Sequence, residues 1–410
     1  MEPGPPTLSF DNTENAFAYK TDGQLRKANW LFSSMSHPSL VSMGIGATQW
    51  AIKAGLPIKA LIRNTIFEQF VGGETLEETA PVAARLGEYG VKVILDYGVE
   101  GGESSEKAYD HACDEFIRVV EYASTQPNIP FISIKVTGVS RFGLLEKLDQ
   151  SVSEAGGTLQ ERCNRALEAL DADERAEWQR VHDRMDRICR IASERSVGVL
   201  VDAEETWVQD PVDMLTMLMM DKYNKGRAIV YNTAQLYRHD RLGFVRDCIE
   251  AAEERGFVLG LKLVRGAYME KERARAKERG YASPIQPDKA STDRDYDEAL
   301  RLCIDRIGNV AVIVATHNEN SNLLAASLLD DKRMPHDHPH IHFSQLYGMS
   351  DNITFNLARH GFPVSKYLPF GPIRDVIPYL MRRAQENTSV AGQTGRELSL
   401  IKRELNRRRG

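Results

Sequence analysis

Two hydrophobic patterns divide the chain at about residue 90. Before this point, apolar residues recur every three or four positions in DGQLRKANWLFSSM, SLVSMGIGATQWAIKAG and TLEETAPVAARLGEYG, which is the spacing of amphipathic helices. After it, short β-branched and apolar runs are separated by amphipathic helical stretches. The pattern predicts an N-terminal helical segment over residues 1–90, followed by repeated strand–helix units that form a parallel sheet.

Eight apolar runs follow, and they end in polar or functional residues. They cover residues 91–98, 131–138, 197–204, 228–235, 258–268, 310–318, 340–348 and 363–371. Asp202 and His317, for example, come directly after an apolar stretch. Eight parallel strands with chemistry at their carboxyl ends are typical of a (β/α)8 barrel, so the sequence predicts a TIM-like α/β barrel over residues 91–395.

Three segments lie outside this regular repeat. Residues 141–196 contain a long charged helical stretch, which we interpret as an inserted helical hairpin. The stretch EKERARAKERG after the fifth run is typical of a solvated helix face. Residues 396–410 are a basic C-terminal tail, for which contact with anionic lipid and simple solvation both stay open.

Composition places the chain among ordinary globular proteins. It has 410 residues, 42% of them hydrophobic, with a formal net charge of −6 and no long basic stripe, so we predict that it binds no nucleic acid. No apolar run is long enough to cross a bilayer, and MEPGPPTLSF lacks the features of a secretion signal. We expect a chain that is neither secreted nor membrane-spanning, with five structural cysteine thiols.

Neither a dinucleotide-binding loop nor a metal site is predicted. GIGATQ, from Gly44, has Gln49 where the third glycine of GxGxxG belongs, and it follows no strand. The histidines of HDHPHIH, residues 336–342, alternate along the entry of a predicted strand, which sends neighbouring side chains to opposite faces. Any nucleotide-like cofactor would therefore have to be held by the barrel itself.

Two charged side chains are predicted to converge at the mouth of the barrel. Lys135 and Asp202 lie at the ends of the second and third runs. The carboxyl ends of barrel strands approach one central axis, so the two side chains are expected to lie close together. A buried lysine and a buried aspartate either compensate each other or serve chemistry, and both interpretations stay open.

The fifth and sixth runs end in groups suited to a planar ligand that carries negative charge. LVRGAY combines two flanking cations, Lys262 and Arg265, with Gly266 and the ring of Tyr268. A glycine beside an arginine permits close approach of a phosphate, or of a planar ring system that becomes negative on reduction. The sixth run ends in ATHN, which adds small hydrogen-bonding side chains.

The stretch YLMRRAQEN places polar groups on one face of a helix. Tyr379, Arg382, Arg383 and Glu386 fall within an arc of about 100°. Asp375 is expected to cap this helix at its amino end. Paired arginines recognise a carboxylate in a bidentate manner, and the alternative is a solvated face with an Arg382–Glu386 ion pair.

Lys135, Asp202, LVRGAY, ATHN, QLYGM and YLPFG followed by YLMRRAQEN together resemble the proline dehydrogenase family. The likeness covers about residues 90–390 in family order, and it is similar to the monofunctional eukaryotic-type branch. It implies a flavin-binding barrel that uses FAD to oxidise L-proline to Δ1-pyrroline-5-carboxylate, the first step of proline catabolism. Hydride would pass from proline C5 to flavin N5, and the electrons would then pass to a quinone.

The resemblance also implies a role for each site residue. The catalytic residues would be Asp202, which organises the polar floor of the site, and Lys262, where many bacterial members have Arg. The substrate-binding residues would be Lys135, Tyr268, Leu346, Tyr367, Tyr379, Arg382 and Arg383. The cofactor-binding residues would be Ala203, Gln235, Val264, Arg265, Gly266, Ala267, Thr316, His317, Asn318 and Glu386, the last of which would also orient the arginine pair.

Three other functions stay open. Hydroxyproline dehydrogenase is the nearest, although in this family a tyrosine at the position of Tyr367 leaves little room for a 4-hydroxyl group. A Schiff-base barrel lyase would use Lys135 or Lys262 and need no flavin. A catalytically silent barrel would act as a sensor or scaffold.

Two locations are compatible with the family resemblance. One is the cytoplasm, with peripheral contact at the inner face of the membrane. The other is the matrix side of the mitochondrial inner membrane, which would require that a targeting segment has been removed.

Overall fold

Eight parallel strands, taken in chain order, close a barrel with helices between them. The computed structural model describes residues 8–37, 39, 41–44, 46, 47, 59–98, 104–153, 159–389 and 393–410. The strands are β1 (Lys92–Tyr97), β2 (Phe131–Ile134), β3 (Gly198–Val201), β4 (Val230–Gln235), β5 (Leu259–Val264), β6 (Val310–Ala315), β7 (Ile341–Leu346) and β8 (Val364–Phe370). Each strand lies inside its predicted run, so the (β/α)8 prediction is confirmed.

The strands are apolar along most of their length because both of their faces are covered. Every residue of β3 and β4 is buried, which explains the continuous apolar runs that the sequence shows there. In the register of β2 and β3, Ile134 pairs with Val201. The residues that follow these two strands therefore lie side by side.

The chain divides into two compact units, residues 102–342 and residues 1–101 with 343–410. The first unit contains helices Glu106–Ser124, Phe142–Ser153, Leu159–Glu168, Ala172–Arg195, Thr206–Tyr223, Arg241–Arg255, Met269–Arg279, Lys289–Asp305 and Glu319–Asp331. Three of these helices lie in residues 141–196, where a hairpin would have two. Asp171 begins the longest of the three through a capping box with Glu174, which satisfies backbone N–H groups at its amino end.

The second unit combines the ends of the chain. Its helices are Thr13–Ala16, Asp22–Met35, Lys59–Ile62, Glu68–Phe70, Leu76–Gly87, Asp351–Arg359, Ile373–Ser389 and Gln393–Arg407, with a π-helical turn at Arg63–Phe67. Two of the three predicted N-terminal helices are present, and the stretch SLVSMGIGATQWAIKAG lies largely outside the described residues. Thr21 caps the Asp22–Met35 helix through a capping box with Gln24.

The basic C-terminal segment forms a helix with an apolar face. Leu400 and Ile401 are 1% and 0% exposed, and they belong to the same core cluster as Phe17, Leu25 and Phe32. This cluster joins the two ends of the chain. The segment is therefore packed on its apolar face, and contact of its basic residues with anionic lipid stays a prediction.

The cysteines and histidines have structural surroundings. All five cysteines are free and buried, and burial raises the pKa of the Cys113 thiol to about 11, as expected of structural thiols. In the HDHPHIH tract, His336 contacts Asp330 at 2.8 Å and His340 Nδ1 lies 2.7 Å from the carbonyl oxygen of Ile307. In the described part of the chain, no helix combines the length and apolarity that a bilayer crossing requires.

A buried ionic cluster fastens the N-terminal segment to β8. Asp351 is fully buried and forms ion pairs with Lys366 at 2.8 Å and with Lys20 at 3.0 Å. The Tyr19 hydroxyl donates to the same carboxylate at 2.8 Å. Burial alone would raise the pKa of Asp351, but Lys20 and Lys366 outweigh it and lower the pKa to about 2.

Replacing Asp351 with asparagine tests this cluster. We expect Asp351→Asn to lower the free energy of unfolding at neutral pH by about 3–5 kcal/mol, because Lys20 and Lys366 lose their shared counter-charge in a buried site. The contribution of a carboxyl with a lowered pKa is complete above about pH 4 and disappears as the pH falls toward 2, so the deficit should narrow in acid. Denaturant titration across pH measures it. The exposed Asp331→Asn is the control, and equal stability of both variants would contradict the role of Asp351.

Candidate active site

Asp202 forms ion pairs with two lysines, Lys135 and Lys262. Asp202 follows β3, Lys135 follows β2, and Lys262 lies in β5. The Nζ of Lys135 is 3.6 Å from Oδ2 of Asp202, while Lys262 Nζ donates to Oδ1 of the same carboxylate. The predicted convergence of Lys135 and Asp202 is confirmed, and the structure adds Lys262 to the pair.

This cluster places two cations on one carboxylate in a largely dry setting. Lys262 is 5% exposed, and the side chains of Lys135 and Asp202 are 17% and 13% exposed. At this low exposure, charge interactions are screened less than in water. Fixed ammonium groups in such a setting can stabilise a group that gains negative charge during a reaction.

The side-chain oxygen of Gln235 is a buried hydrogen-bond acceptor that is available to a ligand. The side chain lies at the end of β4 and is 2% exposed, and its Nε2 donates to the backbone oxygen of Glu204 at 2.7 Å. Its Oε1 is buried and has no hydrogen-bond partner among the described residues. Leaving an acceptor unsatisfied costs about 1–3 kcal/mol, so a ligand N–H or O–H at this point would be stabilised.

Arg265 is fixed by a set of partners that reaches from β5 to β6. Its guanidinium lies over the ring of Tyr296, 3.9 Å from the centroid. It donates to Asp293 at 2.7 Å, to Thr316 at 2.8 Å and to Ser321 at 2.8 Å. The same guanidinium also forms a long ion pair with Asp297 at 3.9 Å, so its orientation is fixed by four side chains and the Tyr296 ring.

The ATHN residues begin a helix as well as ending β6. Asn318 caps Glu319–Asp331, because its Oδ1 accepts from the backbone N–H of Ser321 at 3.2 Å. The Asn318 backbone N–H donates in turn to Thr316 Oγ1 at 3.1 Å. His317 lies between them and is half-buried. This turn therefore has a definite structural role, which any contact with a cofactor would share.

Side-chain packing accounts for the glycine at position 266. A Cβ atom at this position would lie 2.4 Å from the sulfur of Met269, so the close approach that the sequence predicted is made by a protein side chain. The neighbouring positions keep some exposure. Ala203, Val264 and Tyr268 are partly exposed, and Ala267 is exposed.

The second unit carries the remaining predicted residues. Leu346 and Tyr367 are register partners in β7 and β8, and both side chains are half-buried. Tyr379 and Arg383 lie on Ile373–Ser389 at 9% and 6% exposure, with the Arg383 guanidinium 5.1 Å from the centroid of the Tyr379 ring. Arg382 is half-buried. A solvated face is therefore wrong for Arg383.

The amino end of this helix differs from the prediction. The helix begins at Ile373, so Asp375 lies in its first turn instead of capping it. The backbone N–H of Asp375 donates to the carbonyl oxygen of Pro372 at 2.8 Å. A carboxylate in the first turn still interacts favourably with the helix dipole. The side chain of Glu386 lies outside the described residues.

Comparison with known proteins identifies the family. A model of the proline dehydrogenase family matches residues 80–396. The chain belongs to the proline dehydrogenase family. It is 32% identical to proline dehydrogenase 1, mitochondrial, of Dictyostelium discoideum, over 87% of this chain and 67% of that protein. It is 31% identical to hydroxyproline dehydrogenase of Xenopus laevis, over 98% of this chain and 90% of that protein.

Two further comparisons extend the family. The carbapenem antibiotics biosynthesis protein CarD of Pectobacterium carotovorum is 34% identical over 83% of each chain. A solved structure of proline utilization A from Bdellovibrio bacteriovorus, inactivated by N-propargylglycine, has a TM-score of 0.69. At 20% identity over 95% of this chain and 40% of that one, this likeness shows the shared fold.

In this member of the family, sequence reasoning missed Glu204 and its partner Thr137. Thr137 Oγ1 donates to Glu204 Oε2 at 2.7 Å, and Glu204 is 6% exposed. Burial raises the pKa of the Glu204 carboxyl to about 7, against the effects of Thr137 and Lys135. The signal was a second acid two residues after Asp202 at a strand end, in VDAEE, where a buried carboxylate needs donors.

Proposed function

We propose that this chain is a flavoenzyme that oxidises L-proline to Δ1-pyrroline-5-carboxylate and passes the electrons to a quinone. The observation that carries the proposal is the cluster of Lys135, Asp202 and Lys262, in which one carboxylate fixes two largely buried ammonium groups that suit a reaction delivering negative charge to a bound group. Membership of the proline dehydrogenase family supplies the substrate and the reaction class.

The donor set around β3 to β6 fits FAD. The open acceptor of Gln235, the guanidinium of Arg265 and the backbone of Ala203 and Ala267, two residues that keep solvent exposure, would offer hydrogen bonds to such a ligand. Bound FAD would accept a hydride from the substrate. Val264, Gly266, Thr316, His317, Asn318 and Glu386 complete the proposed cofactor set. Lys262 would place a fixed cation where the negative charge arrives.

Proline has one permanent anchor, its carboxylate. We assign that anchor to Arg382 and Arg383, together with Lys135, because a guanidinium fork matches a carboxylate in geometry and charge. Tyr268, Leu346, Tyr367 and Tyr379 would pack around the apolar pyrrolidine ring. The ring nitrogen must be neutral when the hydride leaves C5, so the site needs charge at one end of the substrate only.

A spectroscopic experiment tests the proposed reaction. The purified protein, reconstituted with FAD if necessary, should be yellow and should bleach when L-proline is added without oxygen. A short-chain quinone should restore the colour. A Schiff-base lyase would instead be colourless and trapped covalently by borohydride with a carbonyl substrate. Protein that cannot bind FAD, or that binds it without bleaching, would overturn the proposal.

Arg383→Met tests the carboxylate anchor. We expect the half-saturating proline concentration to rise at least about tenfold while FAD stays bound, because the apolar chain keeps the packing on Tyr379 but loses the charge. Titration of anaerobic bleaching with proline gives the value. The matched control is Arg374→Met on the same helix. The Arg374 side chain is 85% exposed, so this change should leave the half-saturating proline concentration unchanged. An unaltered value in Arg383→Met would separate this residue from the carboxylate.

Substrate choice is a separate prediction, because proline and hydroxyproline dehydrogenases are similarly close relatives at 29–32% identity. We expect kcat/KM for L-proline to exceed that for trans-4-hydroxy-L-proline by at least about tenfold, or about 1.4 kcal/mol, since Tyr367 would crowd a 4-hydroxyl group. Steady-state rates on both substrates measure the ratio. Tyr367→Ser should reduce the ratio of the two kcat/KM values. Equal values of kcat/KM for the two substrates in the unmodified protein would favour the hydroxyproline assignment.

A further inference from the structure

The segment after β3, residues 202–206, contacts the ends of its neighbours on both sides. The Glu204 carboxylate accepts from Thr137 Oγ1 at 2.7 Å and from the Thr137 backbone N–H at 3.4 Å. The Glu204 backbone oxygen accepts from Gln235 Nε2 at 2.7 Å, and its N–H donates to Gln209 Oε1 at 2.8 Å. One residue thereby joins the chain after β2, the chain after β3 and the end of β4.

The next two residues extend the connections to the helix after LVRGAY. Lys271 forms an ion pair with Glu205. The backbone N–H and the hydroxyl of Thr206 each donate to Glu272 at 2.8 Å, and Glu272 is fully buried. The segment that follows β5 is therefore tied to the segment that follows β3.

These bonds surround the groups to which the proposed function assigns the chemistry. Thr137 lies two residues after Lys135, and Glu204 lies two residues after Asp202. Gln235 is itself a proposed cofactor ligand. A shift of about 1 Å in such groups can cost about a hundredfold in rate.

We propose that Glu204 is a positioning residue: its carboxylate and backbone hold Lys135, Asp202 and Gln235 in one arrangement. This inference rests on the proposed function, because it concerns the same site. Glu204 does not touch the lysines in this role. It acts through Thr137 and through its own backbone bonds.

The ionisation of Glu204 supports a pH dependence of this hold. Burial is the largest influence on its pKa, which is raised to about 7; Lys135 lowers it, and Glu205, itself paired with Lys271, raises it. The carboxylate accepts both Thr137 donors, whereas the neutral acid carries a proton on one oxygen. The hydrogen bonds from Thr137 to Glu204 are therefore most completely formed above pH 7. The effect on the free energy of unfolding has the opposite sign. The folded state binds the proton of the Glu204 carboxyl more tightly than the unfolded chain does, so the contribution of Glu204 to stability falls as the pH rises from about 4.5 to about 7.

Three variants of the FAD-loaded full chain test the inference. Glu204→Ala should slow anaerobic flavin reduction at saturating proline about tenfold or more per bound flavin, and weaken FAD affinity measured by flavin fluorescence. Glu204→Gln keeps an acceptor for Thr137, so it should retain most of the rate while losing the change in rate between pH 6 and 8. Thr137→Val combined with Glu204→Ala should be no slower than Glu204→Ala alone, because both remove one interaction.

Glu397→Gln is the matched control. Glu397 is also buried, with its pKa raised to about 7 by burial, but it accepts from the backbone N–H of Ser350 and has no role in the proposed site. It should change thermal stability and leave the reduction rate unchanged. A wild-type rate per bound flavin in Glu204→Ala, or an equal loss in Glu397→Gln, would overturn the positioning role. Failure of the unmodified protein to bleach with proline would instead refute the proposed function, while the FAD affinities of the variants would still report on Glu204.

Discussion

The carboxylate of Asp202 is the group on which the arrangement of the candidate site depends. Lys262 is almost fully buried, and a buried ammonium without a counter-charge would lose its proton or destabilise the fold. Asp202 compensates Lys262 and has a second oxygen for Lys135. One carboxylate thereby fixes the ammonium groups of two lysines at the candidate site.

The other unit contains the same combination with a different result. Asp351 also lies between two lysines, Lys20 and Lys366, but it is fully buried and also accepts from the Tyr19 hydroxyl. That cluster joins the N-terminal segment to a strand. The two carboxylates differ in exposure: the Asp202 side chain is 13% exposed and the Asp351 side chain 0%.

Arg265 and Arg383 each stack on a tyrosine ring, but their surroundings differ. Arg265 lies on Tyr296 and donates to three side chains, so its orientation is fixed by the protein. Arg383 lies on the Tyr379 ring in a site that is 6% exposed. Stacking restricts the rotamers of a long side chain, which reduces the entropy that binding would cost. The proposed function assigns the first arginine to the cofactor and the second to the substrate.

The sequence by itself determined the barrel, because continuous apolar runs with polar ends follow from parallel strands that are covered on both faces, as β3 and β4 show. Local helix starts such as Thr21 with Gln24 also depend only on residues three positions apart, although the one cap that was predicted, Asp375, lies in the first turn of its helix instead. Only the tertiary structure decided which distant groups meet. The bond between Thr137 and Glu204, the partners of Arg265, the open oxygen of Gln235 and the packed face of the C-terminal helix depend on separations that periodicity cannot encode. Burial, which sets the cost of each unpaired charge or acceptor, exists only once the chain has folded.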